Sequence, residues 1–505
     1  MPPRTALLAV GVGTLLACAP GSRPAADASL SISIGIRADI TGIYPNPPII
    51  NEGFTIWMNM HIFEGLTTLD QSLRLVPALA DGWETPSDTS YVFQLRRGLR
   101  FSDGRALTAR DVAASLNAAL KYGWANRDSL QAIRSARALD EQRVEIETKV
   151  PHLVLPHELS RGFVLPAEAL ERDPVPPVGA GPYRLESWQP GRELALVRNP
   201  HYYGASPAVE RGRFVVVPDG GERVARLLRG DLDAVEQVPL ERLSELEQDP
   251  RVTVYRGSGN RLLFLCLRVS HGPLHDPRVR QAIDLAIDRD ELVARVYGGH
   301  AEVARQMIHP RVVGYDPQLA ATPPDRARAR ALLAHAGHPD GLEVRLDGPT
   351  NRYVRDVELL DEVRRQLGLV GIRVTVAAVD KVEFFRLLDS GGSDFHLLGW
   401  AFETGEAGDA LGQLFHTPQA GRLGTANATG LSDPELDALI ERARGSRHEH
   451  ERAQLLRAAG LRAAEQRSAI PLVIQPEAVA TSRRLVWDPP LNYALRLTSF
   501  RARPE

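Results

Sequence analysis

The segment from Val178 to Gly204, VGAGPYRLESWQPGRELALVRNPHYYG, constrains the fold more than any other part of the chain. It opens on a Gly-Pro turn and closes on an Asn-Pro turn that is rich in aromatic residues. Gly and Pro at such positions predict turns, and the alternating apolar residues between them predict strands. The segment therefore predicts two strands held in a fixed order between two turns.

The length and composition indicate a soluble globular protein of several packed units. A chain of 505 residues is longer than one hydrophobic core normally organises, so two or three units are expected. Hydrophobic residues make up 43% and charged residues 24%, which is close to the average for globular proteins. The formal net charge of -3 gives no long-range attraction to nucleic acid, so a nucleic-acid partner is not expected.

The N-terminus has the order of a signal peptide. Arg4 precedes an apolar run from Ala6 to Val12, and Leu15-Leu16-Ala17-Cys18 follows. The run is too short for a dependable spanning helix. Small Ala17 before Cys18 is typical of a bacterial lipobox, which predicts residues 1–18 as signal peptide and a lipid on Cys18. A plain cleaved signal with an incidental cysteine is the alternative.

After cleavage, polar residues 19–29 would form a flexible tether, and Cys266 would be the one internal cysteine. Cys266 lies in the apolar run LLFLCL, which predicts a small core residue. No intramolecular disulfide is available.

The first half of the chain predicts strands with one buried face and one capped helix. Apolar residues alternate with small or polar ones from Leu30 to Ile36, and again around Phe93 and Val144. A Thr-x-x-Asp box, Thr108 and Asp111, predicts the start of a helix that continues to Lys121. Further strands are predicted at Glu193–Val197 and Arg213–Val217.

From about Gly259 the pattern becomes an alternation of strands and helices, which is typical of an α/β lobe. Asp276-Pro277 and Gly298-Gly299 predict the start and the end of one helix. Further helices are predicted at 325–336, 355–367 and 434–443, and further strands at 342–346, 372–376 and 395–398.

Three segments in a fixed order carry a family resemblance. They are Val178–Gly204, the segment from Phe63 to Leu116 and the segment from Asp276 to Ala304. Together they resemble the family 5 solute-binding proteins of ABC importers. That resemblance implies capture of oligopeptides, dipeptides, some sugars or nickel outside the cytoplasmic membrane.

The resemblance also implies a fold. It is mixed α/β and similar to type II periplasmic binding proteins, with two lobes joined by a hinge and an extra small α+β domain. The expected division is 30–66, 177–258 and 471–505 for lobe I, 67–176 for the small domain, and 259–470 for lobe II.

No catalytic constellation is visible. His157-Glu158 lacks the second histidine of a HExxH zinc helix, and Gly272-Pro273 separates His271 from His275. No GxxxxGK[ST] or GxSxG pattern occurs outside the leader. We therefore expect no enzyme activity, no metal site and no cofactor.

One segment suits a binding cleft, DFHLLGWAFETGEAGD from Asp394 to Asp409. A strand there leads to Trp400 and Phe402, and an acidic loop follows with Glu403, Glu406 and Asp409. In peptide-binding relatives an acid at the place of Glu403 receives the α-ammonium of the ligand, and the resemblance implies the same role here. A solvated acidic loop is the alternative.

The loop after the first strand is expected to form the other wall. It contains Tyr44, Asn46 and three prolines, and Trp57 follows it. Prolines stiffen such a loop, which lowers the cost of ordering it on binding. For Trp57, packing in the core is the alternative.

These observations predict a monomeric lipoprotein, anchored outside the cytoplasm, that delivers peptides or peptide-like amines to an ABC permease. Alternatives that the sequence leaves open are a sugar- or nickel-binding protein and a ligand sensor without a transporter. A secreted hydrolase is the least favoured of these alternatives.

Overall fold

A computed structural model describes residues 30–45, 53–124, 130–419 and 423–504. In these ranges the strands are β1 (Leu30–Ile36), β2 (Thr67–Leu69), β3 (Leu75–Pro77), β4 (Ala80–Ser87), β5 (Ser90–Leu95), β6 (Ile133–Ala138), β7 (Arg143–Thr148), β8 (Tyr183–Gln189), β9 (Glu193–Arg198), β10 (Val209–Val216), β11 (Ala234–Val235), β12 (Val252–Leu267), β13 (Glu302–Val303), β14 (Leu342–Pro349), β15 (Ile372–Val379), β16 (Phe395–Ala401), β17 (Ala469–Ser482), β18 (Leu485–Trp487) and β19 (Phe500–Ala502).

The α-helices in the same ranges are α1 (Gly53–Asn59), α2 (Ala109–Tyr122), α3 (Leu155–Glu158), α4 (Gly220–Arg229), α5 (Leu243–Gln248), α6 (Pro277–Ala286), α7 (Arg289–Tyr297), α8 (Arg326–His335), α9 (Asp356–Gly368), α10 (Lys381–Asp389), α11 (Gly408–Leu414), α12 (Pro434–Gly445) and α13 (Glu449–Gln466). Short 3₁₀ turns occur at Leu159–Arg161, Ala167–Ala169, Leu240–Arg242, Pro273–His275 and Leu497–Ser499.

One large sheet runs through the molecule in the order β15-β14-β16-β12-β17-β11-β1-β10-β9-β8, and β13 pairs with β17 beside this path. Strand β1 is parallel to β10 and β11, and β14 is parallel to β15 and β16. We call the part built on β1 and β8–β11 the first lobe and the part built on β14–β16 the second lobe. The small domain is the part built on β4–β7.

The long strands β12 and β17 belong to both lobes. They pair antiparallel from Val252 opposite Ser482 to Cys266 opposite Ala469. At one end β17 pairs with β11 of the first lobe, and at the other end β12 pairs with β16 of the second lobe. Two crossing strands therefore join the lobes, which is the arrangement of a hinge.

The crossing pair is interrupted between the lobes. Ser258 lies opposite Pro476, and the next pair is Leu262 opposite Ile474, so three residues of β12, Gly259–Arg261, face one residue of β17. Extra residues of this kind bend a strand and change the direction of its side chains. Proline at 476 also removes a donor from the ladder at this point.

Each unit has its own apolar core. The first lobe packs Ile34, Phe214 and Trp487 among its buried residues. The second lobe has a core on each face of its sheet, one including Leu346 and the other Phe384, because parallel strands are covered by helices on both sides.

The small domain is a four-stranded antiparallel sheet in the order β4-β5-β7-β6 that packs against α2. Phe93 and Val144 lie in its core, as their alternation predicts. The predicted capping box is also confirmed, because the carboxylate of Asp111 accepts hydrogen bonds from the backbone and the hydroxyl of Thr108, both at 2.9 Å. The domain bounds given above remain predictions.

Gly179 and Gly181, in the turn before β8, lie so close to another part of the backbone that a side chain would not fit there. A Cβ added at Gly179 would collide with the carbonyl oxygen of Ile62, and one at Gly181 would lie 2.6 Å from that of His61. The side chain of Asn199 donates to the carbonyl of Gly181 at 2.8 Å, which ties the Asn-Pro turn to the Gly-Pro turn. Strands β8 and β9 pair antiparallel between the two turns.

The predicted single helix between Asp276 and Gly298 is wrong in one respect: it is two helices, α6 and α7. The chain breaks at Ile287, which has an extended backbone, and Asp288 then caps α7 by accepting from the backbone of Glu291 at 2.9 Å. Both predicted ends are confirmed, because Asp276 caps α6 and Gly298 ends α7 in the left-handed conformation.

The predicted signal peptide, the tether and Cys18 lie outside the described residues. Cys266 is 3% exposed and packs in the second lobe, which confirms it as a core residue. No helix in the described part of the chain has both the length and the apolar composition needed to cross a membrane.

Candidate ligand-binding cleft

The carboxyl ends of the parallel strands in the two lobes carry the charged residues of a cleft. Arg37 follows β1 and Glu236 follows β11, and the backbone of Arg37 donates to the Glu236 carboxylate at 2.7 Å. In the second lobe, Tyr353 follows β14 and Glu403 follows β16. Ligands of open α/β sheets bind outside such strand ends, so this region is the candidate site.

A cavity of about 300 Å³ lies where the lobes meet the crossing strands. The first lobe contributes residues 237–241, the second lobe Val354, Arg355 and Glu358, and β17 residues 476–478. Arg355 donates to Glu241 at 3.2 Å and so links the lobes across the cavity. The volume is at the lower end of the range for small-molecule sites.

Glu403 lies where three parts of the molecule meet. Its Oε2 atom accepts a hydrogen bond from Arg161 of the small domain, and both side chains are largely buried, at 16% and 25% exposed. Its Oε1 atom faces the start of α1, since a Cβ added at Gly53 would lie 3.3 Å from it and 3.8 Å from Nε1 of Trp57. One carboxylate oxygen is therefore directed toward the first lobe while the other holds the small domain.

Trp57 lies beside a second, smaller cavity of about 140 Å³ in the first lobe. The guanidinium of Arg496 lies over its ring at 4.8 Å from the centroid, a distance suited to a cation–π contact. In the same cavity, burial raises the pKa of Glu64 to about 8, although a hydrogen bond from Tyr203 opposes the shift. The structure thus places Trp57 in a polar cavity wall, half-buried, and not inside the core.

Asp409, at the start of α11, belongs to a charged contact between the second lobe and the small domain. Burial raises its pKa to about 6; Glu158 and Glu403 contribute to the rise, whereas Arg161 and Arg444 oppose it. In the same contact Arg444 lies 3.2 Å from Nδ1 of His152. The contact therefore contains both carboxylates and arginines.

Tyr44 does not line the cleft. Its side chain is 1% exposed and makes edge contacts with the rings of Phe63, Trp124 and Phe163, at centroid distances from 5.2 to 5.7 Å. The ring is part of the first-lobe core in this structure, and the ligand contact predicted for Tyr44 stays a prediction. Asn46, predicted beside it, lies outside the described residues.

Two further predicted contacts also have structural roles. Phe402 is 2% exposed and packs in the second-lobe core, while its backbone donates to Asn260 at 3.0 Å. Glu406 is 5% exposed and accepts from Arg452 of the same lobe at 3.0 Å. Both side chains are buried in this structure, and the ligand contacts predicted for them stay predictions.

Trp400 lies on the same sheet face as Leu262, its partner on β12, and packs against the core that includes Phe384. Its ring is half-buried, and Nε1 is buried with no hydrogen-bond acceptor among the described residues.

Sequence reasoning did not single out three charged residues in this region: Glu477, which lines the cavity, Arg161, which is paired with Glu403, and Arg261, whose pKa is raised by the charges of Glu403 and Glu477. Burial raises the pKa of Glu477 to about 7, and its Oε1 accepts from Gln475 at 3.0 Å. Arg261 is the first residue of the apolar run RLLFLCL, and a charged residue at the edge of a buried strand was an available signal. No local pattern marks Arg161.

The described part of the chain contains no group of three or more His, Cys, Asp or Glu side chains placed to hold a metal ion. His157 and His309 have a pKa lowered mainly by burial, to about 4 in the case of His309, which favours their neutral forms. The side chains described above at the strand ends are arginine, glutamate and tyrosine.

Comparison with known proteins gives one family. The model of the bacterial extracellular solute-binding proteins, family 5 Middle, matches residues 74–422. The glutathione-binding protein GsiB of Escherichia coli strain K12 is 27% identical over 500 residues, which cover 95% of this chain and 95% of that protein.

Solved structures share the fold. The periplasmic binding protein AgaA of A. tumefaciens R10, in complex with agropinic acid, has a TM-score of 0.80 at 23% identity and covers 94% of this chain and 99% of its own. DppA of Helicobacter pylori, in complex with the peptide STSA, has a TM-score of 0.80 at 20% identity, with 94% and 98% covered.

Asp409 gives a pH-dependent prediction. Its folded pKa of about 6 is above the unfolded value, so ionising it in the folded protein costs free energy that the unfolded chain does not pay. That cost is absent below about pH 4, grows between about pH 4 and 6, and is complete above. Asp409→Asn should therefore be more stable than wild type at pH 7 by about 1 to 3 kcal/mol, with the difference vanishing near pH 4.

The measurement is thermal or urea unfolding of both proteins from pH 4 to 7. Asp88→Asn is the matched control, because Asp88 joins the same two parts of the molecule through Arg447 but is 73% exposed. A difference for Asp409→Asn that stays constant over this pH range would contradict the prediction.

Proposed function

The chain belongs to the bacterial extracellular solute-binding proteins of family 5, and from this premise we propose that it captures small peptides or peptide-like amines for an ABC permease. The family comprises binding proteins that work outside the cytoplasm with ABC permeases. The observation that carries the proposal is the charged cleft at the strand ends of two lobes that β12 and β17 join.

The relatives support this ligand class. GsiB is named for glutathione, a peptide with one ammonium group and two carboxylates, and DppA was solved with a peptide. In this chain the cleft offers both signs of charge, Glu403 for an ammonium group and arginines for carboxylates. Glutathione is therefore the first compound to test.

Binding would stabilise the arrangement in which the lobes approach each other. A ligand that contacts both strand-end edges binds this arrangement more tightly, and its differential affinity shifts the population toward it. Contacts between units, such as Arg161 with Glu403 and Arg355 with Glu241, hold the same arrangement. To release the ligand, the permease must then shift the population back toward the arrangement in which the lobes are apart.

We further propose that the protein is a lipoprotein, monomeric and anchored through Cys18. The support is the order of Arg4, the apolar run and Leu-Leu-Ala-Cys. A lipid would hold the binding protein near its permease and raise the local concentration at which the two meet. A single acyl chain gives weak anchoring, so more than one chain is expected on the cysteine.

The first prediction is binding with closure and without turnover. Saturating glutathione should reduce the radius of gyration in X-ray scattering, because the lobes approach each other, and the compound should be recovered unchanged. Calorimetry gives the affinity in the same buffer. Steady conversion of the compound by purified protein would contradict a binding role, and absence of binding by glutathione and by di- and tripeptides would contradict the ligand class.

The second prediction concerns Glu403. Glu403→Gln keeps the shape of the side chain but removes its charge, so an amine ligand should bind roughly ten- to a hundredfold more weakly. Isothermal calorimetry with glutathione and with N-acetylglutathione tests this. Wild type should bind the acetylated compound more weakly, and the substitution should have little further effect on it.

Glu406→Gln is the control, because it makes the same chemical change in the same loop at a carboxylate held by Arg452. It should lower stability and leave affinity close to wild type when measured below its unfolding temperature. Equal affinity of wild type and Glu403→Gln for glutathione would remove Glu403 from the binding site.

The third prediction concerns the anchor. Cys18→Ser should move the protein from the membrane fraction to the soluble fraction, since the thiol that carries the lipid is lost, while the fold is retained. Cys266→Ser serves as control, because that residue is buried and its change should not affect membrane association. Equal membrane recovery of wild type and Cys18→Ser, or a mature mass without acyl chains, would contradict lipid anchoring.

A further inference from the structure

Arg261 occupies the interruption between the two crossing strands. It is the last of the three β12 residues that face one residue of β17, and it pairs through its backbone with Ala401 of β16. Glu403 follows Ala401 by two residues, beyond the end of β16, and its charge raises the pKa of Arg261. The interruption in β12 and the end of β16 therefore bring a guanidinium and a carboxylate near each other.

Tyr353 supports the Arg261 side chain. The guanidinium lies over the Tyr353 ring at 6.0 Å from the centroid. The ring is fixed at its outer end, because the Tyr353 hydroxyl accepts from the backbone of Gly399 at 2.8 Å. It is also fixed at its base, since the backbone of Tyr353 donates to Asp356 at 3.1 Å. Arg261 thus has an ordered platform on one side.

The Arg261 guanidinium donates no hydrogen bond to any residue that the structure describes, and it forms no ion pair there. Burial is the main cause of a lowered pKa of Arg261, and the nearby charge of Arg352 lowers it further. A guanidinium remains charged under ordinary conditions and carries five donors. A desolvated cation without an acceptor is costly, so it is usually matched by an anion.

The nearby acids Glu403 and Glu477 raise the pKa of Arg261 through their charges, but neither accepts a hydrogen bond from it among the described residues. Oε2 of Glu403 is engaged by Arg161. Glu477 has a pKa near 7, accepts from Gln475 and is only partly ionised at neutral pH. The charge of Arg261 is therefore only partly compensated by the described residues around it.

We propose that Arg261 binds a carboxylate of the ligand, and that Arg261 and Glu403 together recognise an amino-acid head group, with ammonium and carboxylate on one carbon. This inference rests on the proposed function and narrows its ligand class. The ammonium group lies against Oε1 of Glu403, and the carboxylate accepts from Arg261. Arg161 positions the Glu403 carboxylate by holding its other oxygen.

The consequence is a preference among peptides. The N-terminus of an ordinary α-linked peptide has an ammonium group, but its carboxyl group is consumed in the peptide bond. A peptide linked through a side-chain carboxyl, as in a γ-glutamyl peptide, keeps both groups on the same carbon. The site should therefore favour γ-linked over α-linked peptides that have the same remaining residues.

Two analogues of glutathione separate the roles of the two residues. 4-Aminobutyryl-Cys-Gly keeps the ammonium group but lacks the head-group carboxylate, and glutaryl-Cys-Gly keeps that carboxylate but lacks the ammonium group. Arg261→Met should weaken glutathione binding roughly ten- to a hundredfold, with little effect on the aminobutyryl analogue. Glu403→Gln should have little effect on the glutaryl analogue.

A measurement without ligand tests the same assignment independently. Replacing a buried and only partly compensated cation by an apolar side chain of similar length should raise the unfolding temperature of Arg261→Met in ligand-free protein. Arg256→Met is the matched control on the same strand, because Arg256 is exposed and paired with Glu247 at 3.0 Å. That control should leave the unfolding temperature unchanged or lower it.

The outcomes distinguish a failure of the carboxylate site from a failure of the proposed ligand class. Equal affinity of wild type and Arg261→Met for glutathione would overturn the carboxylate site while leaving the binding role intact. A lower unfolding temperature for ligand-free Arg261→Met would assign Arg261 to the fold and also overturn the site. If wild type binds no peptide, the proposed ligand class is wrong, and glutarate becomes the probe for the carboxylate site. A rise in the unfolding temperature of wild type but not of Arg261→Met on adding glutarate supports the site. No rise for either protein overturns it.

Discussion

The antiparallel pairing of β12 with β17 is the interaction on which the rest of the structure depends. The two strands supply the inner edge of both lobes, so the backbone hydrogen bonds that hold each lobe together also join the two. A continuous ladder of this length would be stiff. The interruption at Gly259–Arg261 opposite Pro476 places the weakest part of the pairing between the lobes, where a change of angle costs the fewest hydrogen bonds.

The same interruption determines where charge can be placed. Parallel strands end on the side of each lobe that faces the other, and their last residues are free of the ladder, so charged side chains there do not disrupt a core. Glu403 and Tyr353 follow two such strands, and the bulge adds Arg261 from the crossing strand. The course of the crossing strands from one lobe into the other therefore determines both the arrangement of the lobes and the position of the candidate site.

Most of the fold could be predicted from the sequence, because it depends on local signals. Alternation marked β5 and β7, the Thr108–Asp111 box marked α2, and Gly-Pro and Asn-Pro marked the turns around β8 and β9. The ligand contacts of the site residues stay predictions. The sequence singled out Glu403 because it follows a recognisable strand, but the burial of Tyr44 and Phe402 depends on residues far away in sequence. Arg161 lies 242 positions from Glu403, and no local pattern records such a contact.

The charged groups of the cleft also explain how a binding protein can avoid closing too tightly by itself. An arginine that joins the two lobes, such as Arg355 at Glu241, favours their approach, whereas a partly compensated charge, such as Arg261, opposes it by the cost of desolvation. These contributions have opposite sign, so they offset each other in part. A ligand that supplies the missing counter-charge removes the opposing contribution and leaves the favourable one. On the proposed binding role, closure depends on the charge pattern of the ligand as well as on the area it buries.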